Sequence, residues 1–354
     1  MNLGLDIGRQ VIKVAMVESG KHGSKLLDVG ERNIIDLNQT YDPEKISKPY
    51  WVMAIKELFD QKSIKPKRIR NLTSAVNGTN ASIKQITTLE MSSDELYSAM
   101  VFEARKHIPM DGSDPVVDYQ IFGQNTKEVD KVDVGLIACT KRVLNAHLDI
   151  IKEVGLKPGI VETEASAITN LFIYKHELPE EGVFVILNVG AVSSTIIVLG
   201  RQAEYFTREI PIGTHHMVQE IVKKRKIGYL DACDILGKDG VDALNKKNDG
   251  TGVEDNLGVA IADRTIFDNF VEDIRRSLRY YAKSTGQSFF VKIYITGGGA
   301  ILPGLKDFVN SKLNVESLLF NPLEALEVKD DLDVDNPYQY AVAIGLALRG
   351  GLSE

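Results

Sequence analysis

The chain is poor in cysteine: its 354 residues include only Cys139 and Cys233, which are far apart and have no CxxC spacing. This scarcity argues against a disulfide scaffold or a zinc site and is typical of a reducing compartment. An excess of positive charge is also missing, since the net charge is -7, whereas a chain-wide nucleic-acid footprint is strongly basic. The amino terminus lacks the basic and apolar regions of a signal peptide.

Several catalytic signatures are missing as well. The sequence contains no GxSxG and no GxxxxGK[ST] motif, which argues against esterases and P-loop proteins. His215 and His216 are adjacent but have no third ligand nearby in the sequence, so a metal site is not expected there. What remains is a globular composition, with 44% hydrophobic and 26% charged residues. A chain of this length predicts about two domains.

One uncharged run needs an explanation. Residues 183–200 carry no charge and reach the length of a marginal membrane span. Asn188, Gly190 and Ser193 lie near the centre of the run, where lipid tolerates polar groups least. Because the run is also dense in Val and Ile, it predicts two buried strands around a tight turn.

The strand pattern of this run repeats the pattern at the amino terminus. There, strands are predicted at 3–7, 11–17 and 25–34, and the first ends in Asp6-Ile7-Gly8. About 180 residues later a strand ends in Asn188-Val189-Gly190 and is again followed by two strands. A repeat at domain scale predicts two lobes of similar build.

Apolar periodicity and capping signals predict the remaining elements. Ser92 and Glu95 have capping-box spacing, and Pro109 ends the helix that they begin. Gly155 is placed to end another helix in the left-handed conformation. Residues 84–155 thus form a predicted strand, helix, strand, strand, helix unit that resembles an insert. The predicted helices are 51–60, 92–108, 141–154, 165–174, 213–236, 263–284 and 337–349; the further strands are 71–83 around the Asn77-Gly78 turn, 116–122, 132–139, 203–209 and 290–295, and 238–255 is predicted to be a surface loop.

The Asp6-Ile7-Gly8 motif has the features of a phosphate-binding turn. Backbone amides of such a turn can bind phosphate oxygens, and glycine allows close approach. Asp6 could hold Mg²⁺ through water, and Lys13 on the next strand could reach a phosphate. A single motif of this kind is weak evidence, because an ordinary hairpin turn has the same pattern. Its repetition around Gly190 favours the phosphate site.

A third glycine-rich turn follows the predicted strand at 290–295. Gly297, Gly298 and Gly299 would let a nucleotide lie directly on the backbone, although a plain strand-to-helix turn is the alternative. On the preceding helix, Glu272 and Arg276 are i,i+4 neighbours. The guanidinium could stack on an adenine ring, or the pair could belong to a solvated, salt-bridged helix face.

In order, these segments resemble the actin-like ATPase superfamily over almost the whole chain. GLDIGRQVIKVAMVE, VETEASAITN, VFVILNVGAVSSTIIVL, YITGGGAILPGL and YQYAVAIGLAL correspond to its phosphate-1, connect-1, phosphate-2, adenosine and connect-2 segments. FEARKHIP and DIRRSLRYY are similar to the PilM family of type IV pilus assembly. The insert lies where the PilM and FtsA group carries its extra subdomain.

The resemblance implies an α/β, actin-like ATPase fold. Two lobes each contain a mixed five-stranded sheet with flanking helices, and a small α+β subdomain is inserted. The implied divisions are 1–83 with 156–181 for the first lobe, 84–155 for the insert, 182–213 with 286–354 for the second-lobe core, and 214–285 for its outer subdomain. The carboxy-terminal helix is expected to pack back on the first lobe.

The resemblance also implies that ATP and Mg²⁺ bind between the lobes. Asp6 and Asn188 would face the metal through water, and Glu162 would lie near the attacking water as the catalytic acidic residue. The other residues implied to contact the nucleotide are Gly8, Arg9, Gln10, Lys13, Gly190, Val192, Ser193, Glu272, Arg276, Gly297, Gly298 and Gly299, together with Asp6.

Two positions depart from the superfamily pattern. Asn188 stands at the acidic phosphate-2 position, and an amide cannot act as a base and holds hydrated Mg²⁺ less well than a carboxylate. Arg9 and Gln10 replace the small hydroxyl residues usual in the first turn. These departures predict slow ATP hydrolysis at most, with ATP serving mainly as a structural or switching ligand.

The implied function is that of a cytoplasmic, nucleotide-binding adaptor in pilus biogenesis. PilM-like proteins bind the cytoplasmic amino-terminal segment of PilN, a membrane protein, which places them at the inner-membrane platform with other platform or motor components. A polymerising protein similar to FtsA is the alternative; that family usually ends in an amphipathic membrane helix, for which the residues after Arg349 are too few. A small-molecule kinase of the same superfold is a third possibility, for which no substrate base is evident.

Overall fold

The computed structural model describes residues 1–20, 23–36, 38–76, 78, 80–125, 127–244, 264–329, 332 and 334–351. In this part the strands are β1 Asn2–Ile7, β2 Val11–Gly20, β3 Gly23–Asn33, β4 Asn71–Val76, β5 Ala81–Leu89, β6 Pro115–Gln124, β7 Lys131–Thr140, β8 Ile160–Thr163, β9 Val183–Val189, β10 Ser194–Leu199, β11 Phe206–Ile210, β12 Phe290–Thr296, β13 Ser317–Leu319 and β14 Glu327–Val328. The α-helices are α1 Lys48–Gln61, α2 Ser93–Ala104, α3 Lys141–Glu153, α4 Glu164–Lys175, α5 Thr214–Arg225, α6 Tyr229–Asp239, α7 Ile266–Thr285, α8 Leu305–Leu313 and α9 Ala341–Gly351.

Two larger sheets repeat the same build, as the internal repeat predicts. The first has the order β14-β3-β2-β1-β4-β8, and the second has the order β11-β10-β9-β12-β13. In each, an antiparallel meander is followed by parallel strands. The first sheet exceeds the predicted five strands because the two-residue strand β14 pairs with β3. Strands β9 and β10 are covered on both faces, which explains their continuous Val and Ile content.

The insert is a third sheet with the order β5-β7-β6. Helix α2 packs on one face of it through Leu96, Met100 and Ala104. The amide and hydroxyl of Ser92 both donate to Glu95, at 3.1 and 2.7 Å, so the predicted capping box is confirmed. Strand β5 also meets β11 of the second sheet edge to edge. Helix α3 contacts β4 of the first sheet, so the insert contacts both larger sheets.

Helix α9 is buried on nearly every side, as its apolar sequence requires. It packs on β1, β2 and α4. Two glycines make the close packing possible. A Cβ on Gly345 would overlap the backbone oxygen of Ala167, and a Cβ on Gly4 would overlap that of Ala343. The residues at this contact must therefore be glycines.

Several predictions differ from the structure or cannot be compared with it. The single predicted helix at 213–236 is wrong: α5 and α6 are separate because Lys226 is left-handed, with φ 55°, and Gly228 precedes α6. Helix α8 and strands β13 and β14 were not predicted. Asn77 and residues 245–255 lie outside the described residues. The boundaries of the lobes and of the insert stay predictions.

The uncharged run at 183–200 forms β9, β10 and the turn between them. Among the residues that the structure describes, none of the helices combines the length and the apolar character required to cross a membrane.

Candidate functional site

Three turns meet at one cleft of about 420 Å³ between the two larger sheets. The first turn, residues 8–10, joins β1 to β2. The second turn, residues 190–193, joins β9 to β10. The third turn, residues 297–299, follows β12. Strands β9 and β12 are parallel and in register, with Asn188 opposite Thr296, so the second and third turns lie at the same edge of one sheet.

Two side chains donate hydrogen bonds to the backbone oxygens of the first turn. The Trp51 indole N–H donates to the backbone oxygen of Gly8 at 3.2 Å, and the Tyr41 hydroxyl donates to that of Arg9 at 2.8 Å. A Cβ on Gly8 would overlap the backbone oxygen of Val11, so the turn requires glycine. Hence this turn is ordered by side chains that are distant in sequence.

Asp6 and Lys13 lie beside the first turn as a cross-strand pair. The Lys13 ammonium is 2.9 Å from the Asp6 carboxylate, and both side chains are largely buried. Their pairing follows from the register, in which the two residues lie opposite each other on β1 and β2. A buried cation and a buried anion thus face the cleft together.

Backbone amides hold the second turn. The Gly190 amide donates to Ser193 at 3.0 Å across the turn. From the start of α5, the Thr214 amide donates to Gly190 at 3.0 Å and the His215 amide donates to Ala191 at 2.8 Å. These bonds use amides of the first helical turn, which have no partner within the helix.

In the third turn, Gly297 has a backbone conformation that favours glycine, whereas Gly298 has open space beside it. Gly297 has φ 89°, and a Cβ there would overlap the side-chain oxygen of Asn188. A Cβ on Gly299 would lie 2.5 Å from Val189. At Gly298, by contrast, a Cβ would meet no heavy atom within 4 Å, and this glycine is exposed and lines the cleft. The cleft wall there is bare backbone.

Two half-buried carboxyls lie in the lining of the cleft or directly behind it. Glu164, the first residue of α4, lines it. Burial and the nearby carboxylates of Asp6 and Glu209 raise the pKa of Glu164 well above its usual value. Glu209 accepts hydrogen bonds from Ser193 and from Thr195, the latter at 3.0 Å, and burial raises its pKa as well.

Most of the sequence-predicted site residues line this one cleft: Asp6, Gly8, Arg9, Gln10, Lys13, Asn188, Gly190, Val192, Ser193, Gly297, Gly298 and Gly299. The structure does not bring Glu162, Glu272 and Arg276 into the lining. Glu162 instead pairs with Arg349 at 3.0 Å, and burial raises its pKa. Glu272 pairs with Arg275, and Arg276 lies 3.2 Å from Asp273, as on a salt-bridged helix face.

Sequence reasoning missed Glu164 together with Asn80, Thr214, Asn336 and Gln339, which also line the cleft. Among these residues, only Glu164 has a position in the sequence from which its place in the cleft could have been predicted. It begins α4, whereas Glu162 lies in the preceding strand β8. The carboxyl at the helix start lines the cleft, whereas the side chain of Glu162 meets α9.

A second, smaller groove of about 180 Å³ lies between α3 of the insert and the first sheet. Its walls are mainly apolar and include Trp51 and Val143. At its base His147 shares a buried hydrogen bond of 2.8 Å with Ser74, and burial lowers the pKa of His147 to about 4. Arg9 lines both this groove and the cleft.

The chain resembles known proteins over nearly its whole length. A family model described as Type IV pilus assembly protein PilM matches residues 4–351. A solved structure described as the PilM-PilN type IV pilus biogenesis complex matches with a TM-score of 0.78 at 22% identity, covering 99% of this chain and 98% of that chain. Ethanolamine utilization protein EutJ from Carboxydothermus hydrogenoformans matches with a TM-score of 0.53 at 12% identity, over 98% of this chain and 89% of EutJ. MreB 5 of Spiroplasma citri bound to AMPPNP has a TM-score of 0.51 at 12% identity, over 97% and 93% of the two chains. Identities of this size show a shared fold, and the fold is that of the actin-like ATPases.

Proposed function

Because this chain belongs to the type IV pilus assembly protein PilM family, we propose that it is a nucleotide-binding adaptor of the pilus assembly platform. It binds ATP with Mg²⁺ in the cleft and captures the cytoplasmic amino-terminal segment of a PilN-like inner-membrane protein. This places it in the cytoplasm, held at the inner membrane through its partner. Other platform or motor components are further candidates for contact.

The observation that carries the nucleotide proposal is the meeting of three glycine turns around one cleft. The cleft volume is within the usual range for small-molecule sites. Bare backbone at Gly298 leaves room for a nucleoside, and backbone amides with Lys13 suit phosphates. Asp6 and Asn188 would hold hydrated Mg²⁺, which supplies charge neutralisation to the phosphates. Glu272 and Arg276 lie outside the lining, so we leave them out of this site.

We further propose that turnover is slow and that ATP acts mainly as a switching ligand. Asn188 lines the cleft at a position where a carboxylate would be needed for a base. Among the acidic side chains, Glu164 replaces Glu162 in this proposal as the group near the attacking water. Its raised pKa suits a carboxyl that accepts a proton. Rapid Mg²⁺-dependent phosphate release by the purified protein would contradict slow turnover.

The groove between α3 and the first sheet supports the partner proposal. It is mainly apolar, it is formed jointly by the insert and the first lobe, and it has a hydrogen-bonding histidine at its base. The match to a PilM-PilN complex supports the identity of the partner. We therefore place the PilN-like segment in this groove.

Calorimetric titration of the ATP-loaded protein with a PilN-type amino-terminal peptide tests the partner proposal. We expect saturable binding at one site with a Kd of about 1 μM or tighter, roughly -8 kcal/mol. Ala146→Glu places a charge in the groove wall and should weaken binding at least about tenfold. Asn145→Glu, on the same helix but outside the groove lining, is the matched control. Absence of binding by folded, ATP-loaded protein, together with ATP-dependent sedimentation, would favour the polymerising alternative.

A further inference from the structure

Tyr41 connects the loop after β3 to the first turn of the cleft. It is only 2% exposed, and its hydroxyl donates to the backbone oxygen of Arg9 at 2.8 Å. In a planar trans peptide the N–H points opposite to the C=O. Because Tyr41 holds the Arg9 carbonyl, it also sets the direction of the Gln10 N–H, which belongs to the same peptide unit and points away from Tyr41.

His215 has the corresponding relation to the second turn. It is 5% exposed and lies at the start of α5, and its amide donates to the backbone oxygen of Ala191 at 2.8 Å. The Val192 N–H, in the same peptide unit as that oxygen, is thereby directed away from α5. A contact of 3.0 Å between Nδ1 and the Tyr229 hydroxyl orients the imidazole ring.

The two side chains meet between the lobes. Their ring centroids are 5.2 Å apart with an interplanar angle of 89°, the edge-to-face arrangement that aromatic pairs prefer. A continuous path thus runs from the Arg9 carbonyl through Tyr41 and His215 to the Ala191 carbonyl. The two rings at the centre of this path are buried, whereas its two ends, Arg9 and Ala191, line the cleft.

We propose that Tyr41 and His215 form a brace that sets the separation of the first and second turns and aims the Gln10 and Val192 amides at the phosphates of the ligand. The brace rests on the proposed nucleotide function. Tyr41 and His215 are positioning residues, since both act through the turns that they hold. The brace makes the phosphate-binding part of the cleft preformed, whereas the nucleoside part depends on the third turn.

The ordinary alternative is that the two rings only fill space in the core. Both accounts expect some loss of stability when the contact is removed. Only the brace expects a selective effect on phosphate binding. Tyr281 offers a matched control, because its buried hydroxyl also donates to a backbone oxygen, that of Glu204 at 3.1 Å, in the second lobe and outside the cleft lining.

The test compares Tyr41→Phe, Tyr281→Phe and the unaltered protein. Affinities for ATP and ADP are measured calorimetrically, and adenosine is measured by competition with a fluorescent ATP analogue. We expect Tyr41→Phe to weaken ATP and ADP binding about tenfold, as for one misaligned hydrogen bond to a charged group, and to leave adenosine binding unchanged. Tyr281→Phe should change none of the three affinities. His215→Ala should add little to Tyr41→Phe, because a path already broken at one link loses little more at the next.

A second readout does not require nucleotide. In the free protein, the backbone amides of residues 190–193 should exchange their hydrogens faster in Tyr41→Phe but not in Tyr281→Phe. Within the part of the chain that the structure describes, the Tyr41 hydroxyl bonds to Arg9 and not to that turn, so the effect would have to pass through His215. Equal loss of adenosine and ATP affinity, or unchanged exchange at 190–193, would overturn the brace. If the unaltered protein binds no nucleotide, the proposed nucleotide function fails, and the exchange measurement still decides whether the brace exists.

Discussion

Replacing Gly298 by alanine should separate ligand binding from stability. The exposed backbone of Gly298 lines the cleft, and a Cβ there meets no heavy atom of the protein within 4 Å. The free energy of unfolding should therefore change by no more than about 0.5 kcal/mol, as for an ordinary surface substitution. The new methyl group, however, would occupy the surface on which the nucleoside is proposed to lie.

Gly299→Ala is the matched control, since it adds the same methyl group one residue away. Its Cβ would lie 2.5 Å from Val189 and 2.8 Å from Thr214, where ordinary contact begins at 3.4 Å. Overpacking of this kind costs roughly 1–3 kcal/mol. The control should therefore unfold at a clearly lower urea concentration, while Gly298→Ala should unfold at the concentration of the unaltered protein.

In Gly298→Ala the same kind of overlap would arise between the new methyl group and bound ATP, so its cost should appear in the ATP affinity. A displacement cost of roughly 1–3 kcal/mol weakens binding about 5- to 150-fold. Urea denaturation and ATP calorimetry on the two variants check both halves of the prediction. Unchanged ATP affinity in Gly298→Ala, or destabilisation equal to that of Gly299→Ala, would refute the assignment of the third turn as the nucleoside surface.

Three further predictions concern the core, the groove and the acidic residues. Gly345→Ala should lower the free energy of unfolding by about 1–3 kcal/mol, because its Cβ would overlap the Ala167 carbonyl oxygen. If this variant unfolds at the same urea concentration as the unaltered protein, the packing described here is wrong. Burial lowers the pKa of His147 to about 4. Below pH 6.5 the unfolded chain therefore binds a proton at this residue that the folded protein does not bind. The free energy of unfolding should fall by up to about 3 kcal/mol as the pH is lowered towards 4. His147→Gln should flatten stability over that window, and an unchanged pH profile would show that another group is responsible. In a phosphate-release assay, Glu164→Gln should abolish the slow release of phosphate, whereas Glu162→Gln should leave it nearly unchanged. The reverse result would show that Glu162, and not Glu164, acts near the attacking water.

The local patterns were sufficient to predict most elements. Val and Ile runs bounded by Asp-x-Gly or Asn-x-Gly turns predicted the two meanders, and the spacing of Ser92 and Glu95 predicted the start of α2. These signals are short in range, since a cap or a tight turn is formed by residues within a few positions. They failed at Lys226, where a left-handed residue splits one predicted helix into two.

The glycines of the site were predicted correctly from the sequence, whereas the carboxyl residue that lines the cleft was not. Glycine turns can be read from sequence because the backbone itself binds, so their positions at strand ends predict the cleft. Glu162 and Glu164 are two residues apart, and only the docking of α9, through Arg349, decides that Glu162 is paired outside the lining.

The sequence by itself determined the repeated meanders and the three glycine turns, because each depends on residues close together along the chain. Only the tertiary structure decided which acidic residue reaches the cleft, that Arg9 lines both cleft and groove, and that Tyr41 meets His215. These relations join residues that are far apart in sequence. They depend on how the sheets and helices pack, and local sequence patterns carry no record of that packing.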